Sequence, residues 1–273
     1  MRIRSAVAFV VLLWLILLPV HARDEAWHPA TAEALAGIIG DRRMVVLGEM
    51  HGTREIPLLA GDLAERLGRG VPLLLAIEIH ASEHAALSAY LDGSGDPASR
   101  ERLRRRAYWS VPQARNDGRR SEDMLDLVER VRQLRAQGRD VAILPFDMAD
   151  GVSRGAHWRD RAMARQLRRA WAALPHGRML VLTGNVHAMR RKPAYAPAGM
   201  QVPMTADLQD LEPLSIDIAA ASGAFWACRT PMTCGPIEVA GVLKAGVHGD
   251  DGVFHHRIVL PRFTPARAVG EVD

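Results

Sequence analysis

The chain has 273 residues, of which 48% are hydrophobic and 24% charged, with a formal net charge of +4 and a sequence pI of about 9.6. This length and composition exclude a disordered chain and allow one globular domain. The basic pI does not indicate nucleic-acid binding, because the arginines alternate with acidic residues along helical segments, as in 100–106, and no nucleic-acid motif is present. We therefore expect the basic residues to lie on solvated helix faces.

The first 22 residues have the pattern of a secretory signal peptide. A basic start precedes a continuous apolar run, 6–20, and a small-residue cleavage pattern follows at 20–22. An apolar run of about 15 residues is short for a membrane-spanning helix. We expect residues 1–22 to be removed and residues 23–273 to form a single α/β domain in the periplasm, without stable membrane insertion. An uncleaved anchor is the alternative interpretation.

The rest of the chain alternates helical patterns with short apolar runs that are typical of buried strands. In chain order, the patterns predict a helix over 31–40, a strand over 44–47, a helix over 55–67, a strand over 73–77, a helix over 82–91, an arginine-rich helix after residue 99, a helix over 121–138, a strand over 141–146, a helix over 157–173 and a strand over 179–182. Further strands are predicted over 214–218 and within 237–243 and 253–260. The order predicts an α/β fold with a central, mostly parallel sheet flanked by helices, and antiparallel strands toward the C-terminus.

Four predicted strands end at polar residues that can carry out chemistry. These residues are Glu49 with His51, Glu78, Asp147, and Asn185 with His187. In open α/β sheets, ligands bind beyond the carboxyl ends of the strands. Because residues two apart point the same way in an extended chain, Glu49 and His51 can face one cleft. A lone histidine after a strand is more often structural, but four such ends on one edge of a sheet predict a functional site.

Several segments that carry these residues also match, in order, the motifs of a known superfamily. They are Gly48-Glu49-Met50-His51, the stretch Leu87 to Gly93 that follows Glu78, Trp109, Arg159-Asp160 with Met163-Ala164, and Gly184-Asn185-Val186-His187-Ala188. This set, which spans 44–205, resembles the erythromycin-esterase/ChaN-like superfamily, which includes the Tiki proteases. The resemblance implies an α/β fold with Glu49, His51, Glu78 and His187 at the site. Some branches hydrolyse lactone esters without a metal, some are metal-dependent peptidases, and ChaN itself binds haem.

The residue types favour a hydrolase that cleaves an ester, lactone or amide of a small molecule. A neutral imidazole beside carboxylates is the usual general base for activating water near neutral pH. We assign that role to His51, oriented by Glu49 or Glu78, and expect His187 to polarise the substrate carbonyl or to protonate the leaving group. Further substrate-binding candidates are Arg54, Asp117, Arg119, Asp147 and Asn185.

Two of these candidates have simpler explanations. Arg54 would stabilise a developing oxyanion if it faces inward, but a surface ion pair with Glu55 explains it equally well. Asp117 and Arg119 would line the entrance to the site, although turn formation alone explains Asp117-Gly118.

The favoured interpretation needs no cofactor, and two alternatives use one. Glu49, His51, Glu78 and His187 are a credible ligand set for a divalent metal such as zinc or manganese, which would indicate a Tiki-like peptidase. Residues 80–84 also match the His-x-x-Glu-His zinc pattern, which needs both histidines on one helix. The ChaN resemblance suggests periplasmic haem or iron binding instead, with the candidate axial ligands Tyr90, Tyr108, Tyr195, His255 and His256.

The chain has two cysteines, Cys228 and Cys234. In an exported protein, two cysteines that enclose a loop of five residues are expected to form a structural disulfide. A reactive or metal-binding pair is the alternative.

Overall fold

The computed structural model describes residues 29–149 and 154–270, so the predicted signal peptide lies outside the described residues. The strands are β1 (Met44–Glu49), β2 (Leu73–His80), β3 (Val141–Asp147), β4 (Arg178–Gly184), β5 (Leu214–Ala220), β6 (Ala224–Thr230), β7 (Thr233–Glu238), β8 (Gly246–His248) and β9 (His256–Leu260). The helices are α1 (Pro29–Ile39), α2 (Glu55–Leu67), α3 (His84–Leu91), α4 (Pro97–Arg104), α5 (Glu122–Ala136), α6 (Ala156–Ala172) and α7 (Asn185–Ala188). Short 3₁₀ segments cover Ala81–Glu83, Gln113–Arg115 and Met204–Leu211.

Within the described ranges, no helix has the length and hydropathy of a membrane span.

Seven strands form one sheet in the order β3-β2-β4-β1-β5-β9-β8. Neighbouring strands are parallel, except for the antiparallel pair β8 and β9 at one edge. The remaining strands, β6 and β7, form a separate antiparallel hairpin. The predicted fold class, a mostly parallel sheet with antiparallel strands toward the C-terminus, is therefore confirmed.

The central strands are apolar on both faces because helices cover both sides of the sheet. Val45 and Leu47 of β1 belong to a core that also contains residues of α1, α2, α3 and α5. Met44 and Val46, which point the other way, belong to a second core together with Met163 of α6. This alternation decides which side of the sheet each polar residue at a strand end will face.

The strands of the central sheet continue further than the apolar runs predict. Gly48 pairs with Thr183, and Glu49 pairs with Gly184, so the parallel ladder between β1 and β4 extends to the polar residues themselves. Ladder hydrogen bonds satisfy the backbone whatever the side chain is, so the ladder does not need to stop where the apolar run stops. As a result, Glu49 is held inside a regular ladder, whereas Glu78 lies within β2 at a register shift between Ile77 and His80.

The hairpin of β6 and β7 differs from the sequence-based prediction. No strand was predicted over Ala224–Thr230, and the strand predicted within 237–243 extends only to Glu238. Neither strand joins the central sheet, so neither shows the long apolar run by which the buried strands are recognised. Cys228 and Cys234 are directly opposed on this hairpin and form the predicted disulfide.

Opening this disulfide should destabilise the protein. A bridge that closes so short a loop restricts the unfolded chain by an amount worth about 2 kcal/mol. We expect the Cys228→Ser/Cys234→Ser double variant to unfold at a lower urea concentration than the oxidised wild type, and reduction of the wild type to give the same decrease. Identical urea midpoints for the oxidised and reduced wild type would show that the bridge contributes no stability.

Candidate active site

His51 lies between two buried carboxylates at the carboxyl edge of the sheet. Its Nδ1 is 3.0 Å from Oε1 of Glu49, the last residue of β1. Its Nε2 is 3.7 Å from Oε1 of Glu78 on β2, which is longer than a normal hydrogen bond. The His51 side chain is 24% exposed, whereas that of Glu78 is 2% exposed. The imidazole is therefore the part of this triad that a molecule from solvent can reach.

The two carboxylates change the protonation of His51. Burial alone would lower its pKa, but the charges of Glu49 and Glu78 outweigh burial and raise the pKa of His51 to about 10. Burial would likewise raise the pKa of Glu78, but the His51 imidazolium and Arg119 hold it well below its ordinary value. At neutral pH, His51 thus carries a proton and forms an ion pair with both glutamates. The residue pattern by itself predicts a neutral imidazole, and the two nearby carboxylates are the reason for the difference.

Glu78 is the residue that connects the four strand ends. Its Oε2 accepts hydrogen bonds from the Thr183 hydroxyl and the Gly184 backbone N–H, both at 2.7 Å. Its Oε1 accepts from Nη1 of Arg119 at 3.0 Å and from Nη2 of Arg159 at 2.5 Å. A carboxylate with four donors is held in its charged form and in one orientation.

The close approach of these groups requires a glycine at position 184. A Cβ atom placed on Gly184 would lie 2.9 Å from Nε2 of His51 and 3.6 Å from Oε2 of Glu78. Any side chain here would push the imidazole away from the carboxylate. The Gly-Asn-Val-His segment therefore places a backbone donor against Glu78 at a point where no side chain fits.

Arg159 links Glu78 to the remaining strand ends. Its Nε donates to Oδ1 of Asp147 on β3 at 2.8 Å, and its Nη1 is 2.8 Å from Nε2 of His187. The other ring nitrogen of His187, Nδ1, lies 2.5 Å from Oδ1 of Asp160. These partners favour the tautomer with the proton on Nδ1, directed to Asp160, and with Nε2 accepting from the guanidinium. His187 in this tautomer has no Nε2 proton to give to a leaving group.

The loop at 116–120 brings Arg119 into the cluster. Arg119 bonds Glu78 and also contacts Asp147 at 3.3 Å. Its Nη2 donates to Oδ2 of Asp117 at 2.6 Å, and Arg120 donates to Oδ1 of the same residue at 3.0 Å. Both arginines outweigh the effect of burial and lower the pKa of Asp117 to about 2. The predicted pair of Asp117 and Arg119 thus lies at the site, with Arg119 in the cluster itself.

The hairpin of β6 and β7 fixes this loop against the loop that follows His51. The backbone N–H of Trp226 donates to the carbonyl of Gly52 at 2.8 Å, and the indole N–H donates to the carbonyl of Asn116 at 2.8 Å. A Cβ on Gly52 would lie 1.9 Å from the Trp226 carbonyl oxygen, and one on Gly118 would lie 2.4 Å from it. Both glycines have positive φ, so both the spacing and the backbone conformation favour glycine. The disulfide-bonded hairpin thereby sets the separation of His51 and Arg119.

Other predicted candidates have different surroundings. Arg54 forms an ion pair with Asp123 at 3.7 Å and also acts electrostatically on Glu55, and its side chain is 37% exposed. Asn185 begins α7, and its backbone covers Gly48, where a Cβ would lie 3.1 Å from the Asn185 Cα. Substrate-binding roles for these two residues stay predictions.

The His-x-x-Glu-His interpretation is wrong. His80 is the last residue of β2, whereas His84 begins α3 after an intervening 3₁₀ turn, so the two histidines do not share a helix. Glu83 between them accepts two hydrogen bonds from Arg106, at 2.6 and 3.2 Å. The pattern reflects a strand end next to a helix start.

The arrangement around Glu78 does not fit a divalent metal ion. Within the described part of the chain, no group of three His, Cys, Asp or Glu side chains is placed to hold one. Arg119 and Arg159 donate to the Glu78 oxygen that a metal would need, and Arg159 also occupies Nε2 of His187. A second cation at this position would be repelled by both guanidinium groups.

The candidate haem ligands occupy separate places. The Tyr90 hydroxyl donates to Glu129 at 2.8 Å, the Tyr195 side chain is 83% exposed, and Nδ1 of His255 accepts from the Ser215 backbone at 3.0 Å. Tyr108 is buried beside His80, with ring centroids 4.9 Å apart, and His256 is half-buried on β9. Haem binding stays a prediction.

Sequence reasoning did not assign Arg159, Asp160 or Thr183 to the site. Arg159 and Asp160 are part of the Arg-Asp-x-x-Met-Ala resemblance, which was a signal for them, and they face the sheet from the first turns of α6. Thr183 has no motif of its own. Thr183 lies two residues after Val181, which belongs to the core next to α6. Because residues two apart on a strand face the same side of the sheet, this spacing indicates the side that Thr183 faces.

Comparison with family models and with curated proteins gives no match. Solved structures do share the fold. An erythromycin esterase mutant, EreC in its open conformation, has a TM-score of 0.66 and 13% identity over 89% of this chain and 96% of that chain. A succinoglycan biosynthesis protein has a TM-score of 0.66 and 11% identity over 86% of this chain and 92% of that chain. A Bacillus cereus protein has a TM-score of 0.58 and 12% identity over 88% of this chain and 93% of that chain. At these identities the likeness is one of fold, and it includes a protein named as an erythromycin esterase.

The protonated state of His51 should make stability depend on pH. A histidine whose pKa rises from 6.5 to about 10 on folding stabilises the fold fully below pH 6.5, and this contribution is lost as pH rises toward 10. The free energy of unfolding should fall over this window by up to about 1.4 kcal/mol per pH unit. Urea unfolding of the wild type and of His51→Gln at several pH values measures the difference. Equal slopes for the two proteins would contradict the raised pKa.

Proposed function

We propose that this protein is a hydrolase that activates water at His51 and cleaves an ester, lactone or amide of a small molecule. The observation that carries the proposal is the partly exposed imidazole held between Glu49 and Glu78 at the carboxyl edge of the sheet. Ligand sites of open α/β folds lie at this edge. The shared fold with a protein named as an erythromycin esterase agrees with hydrolysis.

In the proposed reaction, the neutral form of His51 takes a proton from water as the water attacks the carbonyl carbon. The glutamates on both sides stabilise the imidazolium that forms. The same ion pair is present in the resting enzyme at neutral pH, so His51 must lose its proton before it can act as the base. Glu49 at 3.0 Å also orients the ring through Nδ1. The proton then passes from His51 to the leaving alkoxide or amine.

Arg159, which lies beside Arg119 in the cluster, is assigned to the carbonyl oxygen in place of Arg54. Both guanidinium groups are fixed by buried carboxylates, and both side chains reach the surface. Donors that are already oriented stabilise an oxyanion without further reorganisation. His187 is assigned the role of holding Arg159, with Asp160 behind it.

We also propose that the protein is exported and that the reaction uses no metal. The disulfide between Cys228 and Cys234 supports an oxidising compartment such as the periplasm. The arginines that donate to Glu78 perform the charge stabilisation that a metal would otherwise supply.

Removing the imidazole should abolish turnover. We expect His51→Ala to lower kcat/KM by about 10²–10⁴-fold, the usual contribution of a general base, while circular dichroism shows a folded protein. The matched control is His176→Ala, which removes an exposed histidine and should retain wild-type activity. Wild-type protein without activity on a broad panel of esters, lactones and amides would overturn the hydrolase proposal.

The activity should be alkaline. Only the deprotonated form of His51 can act as a base, and that form increases as pH rises toward its pKa of about 10. We therefore expect kcat/KM to rise with pH through the range 7 to 10, roughly tenfold per pH unit at the lower end. A pH–rate profile measured on any accepted substrate provides the check. A profile that levels off near pH 6.5 would mean that His51 titrates as an isolated imidazole.

A further inference from the structure

The cations of the cluster lie closer to solvent than its acids. The side chains of Glu78 and Asp147 are 2% and 3% exposed, whereas those of Arg119 and Arg159 are 20% and 17% exposed. Asp117 is the exception at 33%, but both of its carboxylate oxygens already accept hydrogen bonds from arginines. A molecule that approaches from solvent therefore meets guanidinium groups before it meets an unpaired carboxylate.

These guanidinium groups have hydrogen-bond donors to spare. A guanidinium carries five N–H donors. Arg159 uses one each for Asp147, His187 and Glu78. Arg119 makes two bonds to Asp117, one to Glu78 and one to Asp147. Among the residues that the structure describes, each arginine therefore keeps at least one N–H donor that can bind a ligand oxygen, while its position is fixed by the buried acids.

The Tyr108 hydroxyl adds a second and independent observation. The Tyr108 side chain is 5% exposed, and in the described part of the chain its hydroxyl has no hydrogen-bond partner. Arg120 lies over the ring at 4.9 Å, and the ring of His80 packs edge-on at 4.9 Å, so the ring is held in place. His80 also lies 4.0 Å from Oδ2 of Asp147, and Arg120 pairs with Asp117 at 3.0 Å, so both neighbours of the Tyr108 ring border the cluster. Native proteins rarely leave a buried hydroxyl unpaired, so an acceptor from outside the chain is expected there.

We propose that the site recognises a substrate with an anionic oxygen group, a carboxylate or a phosphate, which binds Arg119 and Tyr108 with Arg159 beside them. The proposal rests on the hydrolase function proposed above and adds its substrate class, an ester or amide of an acidic small molecule. A cationic group would be repelled by the guanidinium groups and would leave the Tyr108 hydroxyl without an acceptor.

Calorimetric titration with simple anions tests the proposal without turnover. The wild type is titrated with inorganic phosphate, with acetate and, as a cationic control, with tetramethylammonium. We expect one saturable site for at least one of the anions and none for the cation. The anion that binds more tightly identifies whether the natural group is a phosphate or a carboxylate.

Three variants locate the site. Arg119→Gln should weaken anion binding by about tenfold or more, and Tyr108→Phe, which removes only the hydroxyl, should weaken it by about fivefold. The matched control is Arg168→Gln, which removes an arginine of the same helix as Arg159 that pairs with exposed Asp210 and should bind the anion as the wild type does. If Arg119→Gln fails to fold, Tyr108→Phe carries the test, because it keeps the ring contacts.

The proposal is overturned if neither anion binds at concentrations up to about 10 mM, or if Tyr108→Phe and Arg168→Gln bind as tightly as the wild type. A protein that binds anions through these residues but hydrolyses no substrate retains this inference and loses the hydrolase function. A protein that hydrolyses uncharged esters and binds neither anion keeps the hydrolase function and loses this inference.

Discussion

The structure of the site depends on the burial of one carboxylate, Glu78. A charged group at 2% exposure is stable only when it is paired and hydrogen-bonded. Glu78 meets this requirement with donors from β4, from the loop at 116–120 and from α6, and it also lies beside the imidazole of His51, which follows β1. Strand β4, helix α6 and the loop at 116–120 therefore all place donors on this one charge. The site and the local stability of the sheet edge are one set of interactions.

The same set of interactions explains why the arginines are rigid. Long side chains normally lose conformational entropy when they are fixed, but here buried acids hold Arg119 and Arg159 before any ligand arrives. The hairpin with its disulfide adds a mechanical constraint, since Trp226 contacts both Gly52 and Asn116. The loops that carry His51 and Arg119 are thus fixed relative to one another. Such preorganisation is what stabilisation of a developing oxyanion requires.

Much of the site could be predicted from the sequence because it follows from strand periodicity. Glu49, Glu78 and Asp147 end apolar runs, and parallel strands bring their carboxyl ends to one edge. The partnership of Glu78 and Arg159 could not be predicted in this way, because it joins residues 81 positions apart on a strand and a helix. The protonation of His51 was also beyond the sequence, since it depends on two distances to carboxylates that only the folded chain defines.

The sequence by itself determined the alternation of strands and helices, the fold class, the disulfide pair and the edge of the sheet at which polar residues gather. These features depend on local periodicity and on spacing along the chain. The tertiary structure alone decided that Arg54 pairs with Asp123, that His80 and His84 do not share a helix, and that Arg159 lies at the centre of the site. Contacts of this kind depend on packing between distant segments and on which buried charge most needs a partner, and neither is written in any local pattern.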